Sequence, residues 1–261
     1  VTNTSAATDN TRNLVALTDL GEAQRIKNNR WTAQSATAVP ANAANDEYAT
    51  LTGTMPAVRD ITQTGTLLDG IGMAGGDDYE KIESARLLSA SEYRLNADLG
   101  YISLRTALQP DQVLAVAFEY TYKGENYQVG EFSTDLKDNT RSLLAKSLKN
   151  TACTPRQGNW ALMMRNVYSL GATDVQRERF ALDVKYLSDT TGVYLSYLPL
   201  PTMKDKRLLS VMGLDRLDNN ARRVPNGYFD FVEGYTVDAA SGRIFFPVVE
   251  PFGRHLAKEI G

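Results

Sequence analysis

Oxygen-bearing side chains crowd one short stretch of this chain. Asp215, Asp218, Asn220, Asp230 and Glu233 all fall within Asp215-Arg-Leu-Asp-Asn-Asn-Ala-Arg-Arg-Val-Pro-Asn-Gly-Tyr-Phe-Asp-Phe-Val-Glu233. Hard oxygens along a turn-rich loop suit calcium, which takes roughly six to eight such ligands at flexible geometry. These residues are therefore the candidate metal ligands, and calcium is the cofactor they would take. The spacing is not that of an EF-hand, and Arg216, Arg222 and Arg223 stand among the donors. The competing reading is a pair of Asx-type turns that join a helix to a strand, with Asp–Arg pairs at the surface.

Other reactive chemistry is sparse. His255 is the single histidine and Cys153 the single cysteine, so neither an internal disulfide nor a His-rich or thiolate metal cluster can be built. Cys153 reads as a small apolar residue. Gly70, Gly72, Gly75 and Gly76 form a glycine-rich stretch, but no lysine follows in the phosphate-loop pattern, so it reads as a hinge or turn. No nucleophile elbow, zinc-protease, dinucleotide or phosphate-loop fingerprint appears. A hydrolase using two carboxylates stays open, since sequence does not say which pair would face a cleft. No catalytic residue is assigned, and a non-enzymatic role is expected. A net charge of −3 excludes a general basic field for nucleic acid. The 13 tyrosines suit either a glycan- or peptide-binding face or ordinary sheet packing.

These residues must be positioned by the chain's periodic segments. Residues 1–50 are rich in Thr, Ala and Asn, and only Leu14–Leu17 and the stretch around Trp31 offer packing residues. This region reads as an extended arm or a loop crossing a larger body. Val1-Thr-Asn-Thr-Ser5 carries no signal-peptide pattern and reads as the start of a fragment. Val58, Ile61 and Leu68 have helix-like spacing after Pro56. Residues 78–88 read as a short helix. Residues 113–122 alternate as a strand, with Leu114, Val116, Phe118, Tyr120 and Tyr122 on one face, and Lys123-Gly124 turns the chain into a partner strand. That strand fits a soluble sandwich better than a membrane barrel, because its neighbours are too polar to face lipid. Trp160–Leu170 reads as an amphipathic helix with core residues Trp160, Leu162, Met163, Val167 and Leu170, capped by Gly171. Strands over 180–187 and 193–198 and a helix over 207–212 follow.

One phrase occurs twice. Tyr93-Arg-Leu-Asn-Ala-Asp-Leu-Gly-Tyr-Ile-Ser-Leu104 aligns without a gap on Tyr235-Thr-Val-Asp-Ala-Ala-Ser-Gly-Arg-Ile-Phe-Phe246. Both spell a β-hairpin whose turn glycine, Gly100 or Gly242, is free to take φ > 0. The expected fold is α+β and mainly β, with sandwich-like units built on a repeated hairpin and short helices packed on them. The expected divisions are an arm with one short helix over 1–76, a first β-rich unit over 77–150, and a helix with a second β-rich unit over 151–261.

Long ordered motifs from Asp77 onward resemble the SprA/Sov family. They are Tyr93–Leu104, Leu114–Tyr122 with Tyr127–Thr134, Trp160–Gly171, Ser188–Leu195, Leu214–Asp218, Gly227–Tyr235 and Gly242–Gly253. Residues 1–76 match much less distinctly. The family comprises very large Bacteroidetes cell-surface proteins required for type IX secretion and, in gliding species, for motility. Its members are outer-membrane translocons whose barrel opens sideways to pass folded cargo to a PorV-type shuttle protein, while a plug protein closes the resting pore. The resemblance implies an internal soluble segment of such a protein, periplasmic or extracellular, with the parent barrel, shuttle, plug and cargo as partners and no nucleic acid. It implies conduction and gating rather than catalysis. Where the family often has Pro-Asp-Gly before Phe-Asp-Phe, this chain has Pro225-Asn-Gly227, which removes a carboxylate from the calcium set. The alternative is a surface glycan-binding or adhesion module, with or without calcium.

Overall fold

A computed structural model describes residues 11–97, 100–152, 154, 158–217 and 224–261. The chain divides into two compact units: residues up to Leu95 with Ile102–Met163, and Asn96–Tyr101 with Met164–Gly261.

Unit 1 is organised by a four-stranded sheet. Strand β1 (Thr11–Leu17) leads through a long irregular loop to the short helix α1 (Glu47–Ala49). A wide turn (Thr50–Thr54), a 3-10 turn (Pro56–Arg59) and helix α2 (Thr64–Gly70) follow, then strand β2 (Tyr79–Arg86). Next come the hairpin β3 (Tyr93–Asn96) and β4 (Tyr101–Leu104), strand β5 (Leu114–Val116), the ribbon β6 (Phe118–Tyr122) and β7 (Glu125–Val129), and strand β8 (Leu143–Lys149). The sheet order is β2-β1-β8-β5, with β1 antiparallel to β2 and parallel to β8, and β5 antiparallel to β8.

The expected arm over 1–76 is corrected here: β1 is an interior strand of this sheet. Its alternation sends Val15 and Leu17 into one core with Trp31, Leu51, Val58, Leu68 and Leu144. Ala16 faces the other side, with Ile82, Ala85 and Val113. Burial on both faces explains why Val15-Ala16-Leu17 is an unbroken apolar run. The residues around it are polar because they make a loop whose hydrogen bonds go to side chains.

The helix expected over 78–88 is strand β2. Pairing passes from Arg12↔Ala85 to Leu14↔Ile82, so an extra residue is inserted opposite Asn13. Ser84 takes φ +53 there, and its N–H donates to Asn13 Oδ1 at 3.0 Å. Such a bulge puts Ile82 and Ala85 on one face at a spacing of three, which imitates helical periodicity. The expected strand over 113–122 breaks at Ala117 into β5 and β6. Lys123 (φ +53) and Gly124 (φ +84) supply the two-residue hairpin turn before β7.

Unit 2 has shorter elements: strands β9 (Val167–Ser169), β10 (Tyr186–Leu187) and β11 (Tyr194–Leu195), helix α3 (Leu208–Val211), strands β12 (Val237–Asp238) and β13 (Arg243–Phe245), and helix α4 (Leu256–Ile260). A three-stranded sheet runs β12-β13-β9, and β10 pairs with β11. Leu209, Met212, Leu214, Val237, Ile244 and Phe246 form the core. The helix expected over 160–170 is corrected to a 3-10 turn (Gly158–Leu162) followed by β9. Val167 and Tyr168 pair with Phe245 and Ile244, while Asn166 exchanges backbone and side-chain hydrogen bonds with Phe246. A ready strand edge thus outcompetes local helix propensity. Met163, expected in the core, is 42% exposed.

The strand expected over 180–187 keeps its alternation, with Phe180, Leu182 and Val184 packed on the unit 2 core. Only Tyr186–Leu187 joins a ladder. Continuing that register would bring Pro199 and Pro201 opposite, and proline cannot donate to a ladder. Both copies of the twin phrase form strand–turn–strand, with Gly100 at φ +66 and Gly242 at φ +61. The α+β, mainly β fold is thus observed. Its described strands lie in one four-stranded sheet and several smaller ones rather than in a demonstrated sandwich.

Candidate functional site

Three of the expected calcium ligands, Asp215, Asp230 and Glu233, accept hydrogen bonds from the chain itself. Asp215 is buried, and its Oδ2 accepts the Ser210 hydroxyl at 2.5 Å and the Gly227 N–H at 3.0 Å. It therefore ties the end of α3 to the loop that returns toward β12. Asp230 Oδ2 accepts the Leu217 N–H at 2.8 Å. Glu233 accepts the Ala239 N–H at 3.0 Å, which braces the β12–β13 turn. Asp218, Asn220, Arg222, Arg223 and Cys153 lie outside the described residues. Among the described residues no group of three or more His, Cys, Asp or Glu side chains is arranged to hold a metal ion. His255 Nε2 donates to the Val211 carbonyl at 2.8 Å, which fastens the start of α4 to α3.

The densest ionisable chemistry lies instead at the base of the irregular loop in unit 1, around Asp19, Glu47, Asp78 and Lys146. Asp19 follows β1 directly, and its carboxylate accepts the N–H groups of Lys27 and Asn28, both at 2.8 Å. Lys27 Nζ lies 2.7 Å from Asp77 and 2.6 Å from Asp78, while Asn28 donates to Asp78 at 3.2 Å. Asn45 Nδ2 reaches the carbonyls of Asp19 (2.8 Å) and Glu22 (2.9 Å), and its Oδ1 accepts the Glu47 N–H at 3.0 Å. Lys146, on β8, meets the Glu22 carboxylate at 2.8 Å and donates to the Thr18 carbonyl.

Glu47 is the exception in this network. It is 0% exposed, and neither carboxyl oxygen has a hydrogen-bond partner. Burial pushes its pKa well above the carboxylate range. Asp19, Asp78 and Asp46 add to that rise, and Lys146 opposes it. Burial likewise raises Asp19, against the pull of the Asn28 and Lys27 N–H groups and of Lys146.

A second buried group lies nearby in sequence and is fully satisfied. Arg59 grips Glu131 with two hydrogen bonds, 2.5 and 2.7 Å, and also donates to the Ser142 carbonyl at 3.1 Å. Tyr48 Oη and the Leu144 N–H donate to the same carboxylate at 2.8 and 2.9 Å. Burial pushes Glu131 up, but Arg59, Leu144 and Tyr48 together outweigh it and hold the carboxyl below its ordinary value. Burial, then the bond to Glu131, pushes Tyr48 up to about 12. Neither network was expected from the sequence. The available signals were Lys146 interrupting the apolar run Leu143–Leu148 and Glu131 set between Val129 and Phe132.

An open groove of about 550 Å³ is lined by Pro56, Ala57, Asp60, Gln63, Thr140 and Arg141. Its polar groups are largely engaged already: Arg141 donates to the Pro56 carbonyl, and Asp60 accepts from Thr62 and Gln63.

Unit 2 carries most of the exposed large apolar side chains. Tyr228 is 76% exposed, Tyr194 65%, and Tyr235 and Phe252 50% each. Phe252 and Tyr168 pack edge-on against each other and against the buried Phe246, with centroids 5.3–5.5 Å apart. In the same unit Tyr101 stacks on Phe245 at 5.0 Å, and Asn96 Nδ2 donates to the Gly234 carbonyl at 3.3 Å. On the β6–β7 ribbon of unit 1, Phe118, Tyr120 and Tyr127 form a stacked ladder. Comparison of the chain with models of known families and with curated proteins finds no match.

Proposed function

We propose that this chain is a non-catalytic structural and interaction segment of a SprA/Sov-like cell-surface protein that contributes to type IX secretion and gliding motility. One observation carries the reading beyond the motifs themselves: the exposed apolar side chains concentrate on the stretches that resemble the family. Tyr194 lies in Ser188–Leu195, Tyr228 and Tyr235 in Gly227–Tyr235, and Phe252 in Gly242–Gly253. Exposed tyrosine and phenylalanine side chains are suited to contact with another protein. The extended run Phe180–Lys185, with alternating burial and no ladder partner among the described residues, supports the same reading. No helix among the described residues is long and apolar enough to cross a membrane. The segment's place is at the parent barrel, on its periplasmic or extracellular side, in contact with the shuttle, plug or cargo. Immobilised chain is tested against purified PorV-type shuttle and plug proteins. Saturable binding that Tyr194→Ser with Tyr228→Ser weakens supports the reading, and absence of binding to every component of the complex counts against it.

The aromatic ladder Phe118–Tyr120–Tyr127 favours a second reading, a surface glycan-binding module. Aromatic faces stack on sugar rings, and Phe118 is exposed while Tyr120 and Tyr127 are half-buried, so Tyr127→Ala would weaken retention on a glycan matrix under that reading and leave shuttle binding unchanged.

A further inference from the structure

The loop from Thr18 to Asp46 carries almost no regular structure, yet it covers part of the unit 1 core. Leu20, Trp31 and Ala44 are buried beneath or within it, and Asn42 donates its N–H to the Gln128 carbonyl of β7 at 2.7 Å. Irregular loops of this length in compact units generally serve a function or are mobile. This one is neither loose nor fastened by apolar contact alone: carboxylates clamp it. Asp19 holds the N–H groups of Lys27 and Asn28, Asp78 holds their side chains, and Asp46 accepts the Thr32 N–H at 2.7 Å.

Glu47 sits at the end of that loop, on the first residue of α1, and is sealed from water without a hydrogen-bond partner. The charged groups that act on it most strongly come from four places in unit 1. They are Asp19 after β1, Asp46 before α1, Asp78 before β2 and Lys146 on β8. The single cation among them, Lys146, is already engaged by Glu22 and Thr18. A protonated Glu47 is tolerated there, because a neutral carboxyl adds no charge to the cluster. An ionised Glu47 would place a further negative charge beside the three carboxylates that clamp the loop, with no donor to receive it.

We infer that residues Thr18–Asp46 form a pH-gated strap, closed while Glu47 keeps its proton and released when that proton is lost. Release turns Glu47 toward water, where it ionises freely, and uncovers Trp31 and the Gln128 side of β7. The open form therefore binds one proton fewer than the closed form. Between the ordinary carboxylate range and the raised value in the closed form, the opening equilibrium grows about tenfold per pH unit. Unit 1 is thus firm in mild acid and opens its loop as the pH rises.

The test is amide hydrogen exchange of residues 18–46 in the whole chain from pH 6 to 9, corrected for the intrinsic pH dependence of exchange, with Glu47→Gln as the comparison. Opening of the wild-type strap is expected to rise steeply with pH, while Glu47→Gln shows a flat profile and slower opening at the alkaline end. Equal slopes in the two proteins would overturn the inference. Should Glu47→Gln fail to fold, infrared spectroscopy of the wild type decides. A carboxylic-acid carbonyl band that outlasts those of the exposed carboxyls as the pH rises, and disappears together with strap protection, is expected. Loss of all carboxylic-acid bands together in the ordinary carboxylate range would overturn the proposal equally.

Discussion

Gly242 lies so close to Ala172 that a Cβ built on it would stand 1.5 Å from the Ala172 carbonyl oxygen. The twin position, Gly100, has the same backbone sign, φ +66 against +61, but nothing within 4 Å of its hypothetical Cβ. The two glycines share a positive φ, and only the second is wedged against a neighbouring backbone.

That difference separates the effects of one substitution. Gly100→Ala should cost about 1 kcal/mol, the penalty of a side chain at positive φ. Gly242→Ala must also displace the backbone at Ala172, so a loss of about 4 kcal/mol or more is expected. Urea unfolding of the two variants gives the comparison.

The Arg59–Glu131 pair holds the loop after α1 to the start of β8, with Tyr48 and Leu144 completing its hydrogen bonds. Arg59→Met leaves a buried carboxylate with its cation removed, and a loss of about 3–5 kcal/mol is expected. Because the folded-state pKa of Glu131 is depressed, its contribution is complete above the ordinary carboxylate range. It is lost as the pH falls through the folded value. Wild-type stability should therefore decline on the acid side, and the acid limb should be shallower in Arg59→Met. Denaturant titrations across acid pH measure both.

Two tyrosines set an alkaline limit. Burial and a bond to Glu131 raise Tyr48 to about 12, and burial with a bond to Asp69 raises Tyr79 to about 12 from 10.0. A raised folded value means that the neutral phenol is favoured in the fold, so stability falls as the pH rises from 10.0 toward 12. Absorbance titration should show these two phenols ionising last. Tyr79→Phe should remove part of the alkaline loss.

Asp215 is expected to act as a fastener rather than as a cation ligand. Asp215→Ala forfeits the bonds from Ser210 and Gly227, each about 1.5–3 kcal/mol for a charged acceptor, and should lower the melting temperature of unit 2 equally in calcium and in chelator. A wild-type melting shift with calcium that Asp215→Ala abolishes would support the metal reading instead.

Much of the fold was legible where local chemistry acts alone. The Lys123-Gly124 turn, the α3 helix and both twin hairpins follow from turn residues and alternation, which need no distant partner. Other elements depended on long-range pairing. The Ser84 bulge gave β2 a helical rhythm, and β13 drew Val167–Ser169 into a sheet although its spacing suited a helix. The prolines at 199 and 201 limited β10 from a strand that is remote in register. Of the candidate site, the carboxylates in 215–233 stood out by density, but the partners of Asp215, Asp230 and Glu233 are the Ser210 hydroxyl and backbone N–H groups, which no spacing rule reveals. Glu47 was invisible because nothing in Asp46-Glu-Tyr48 says that it faces inward.

The most direct test of the proposed interaction role is cargo secretion by cells in which the proposed SprA/Sov-like parent lacks residues 11–261, with its abundance in the outer membrane measured alongside. Cargo release is expected to fall to the background of cells lacking the parent, while the barrel persists in the membrane. Secretion at the wild-type level from the shortened parent would contradict the account.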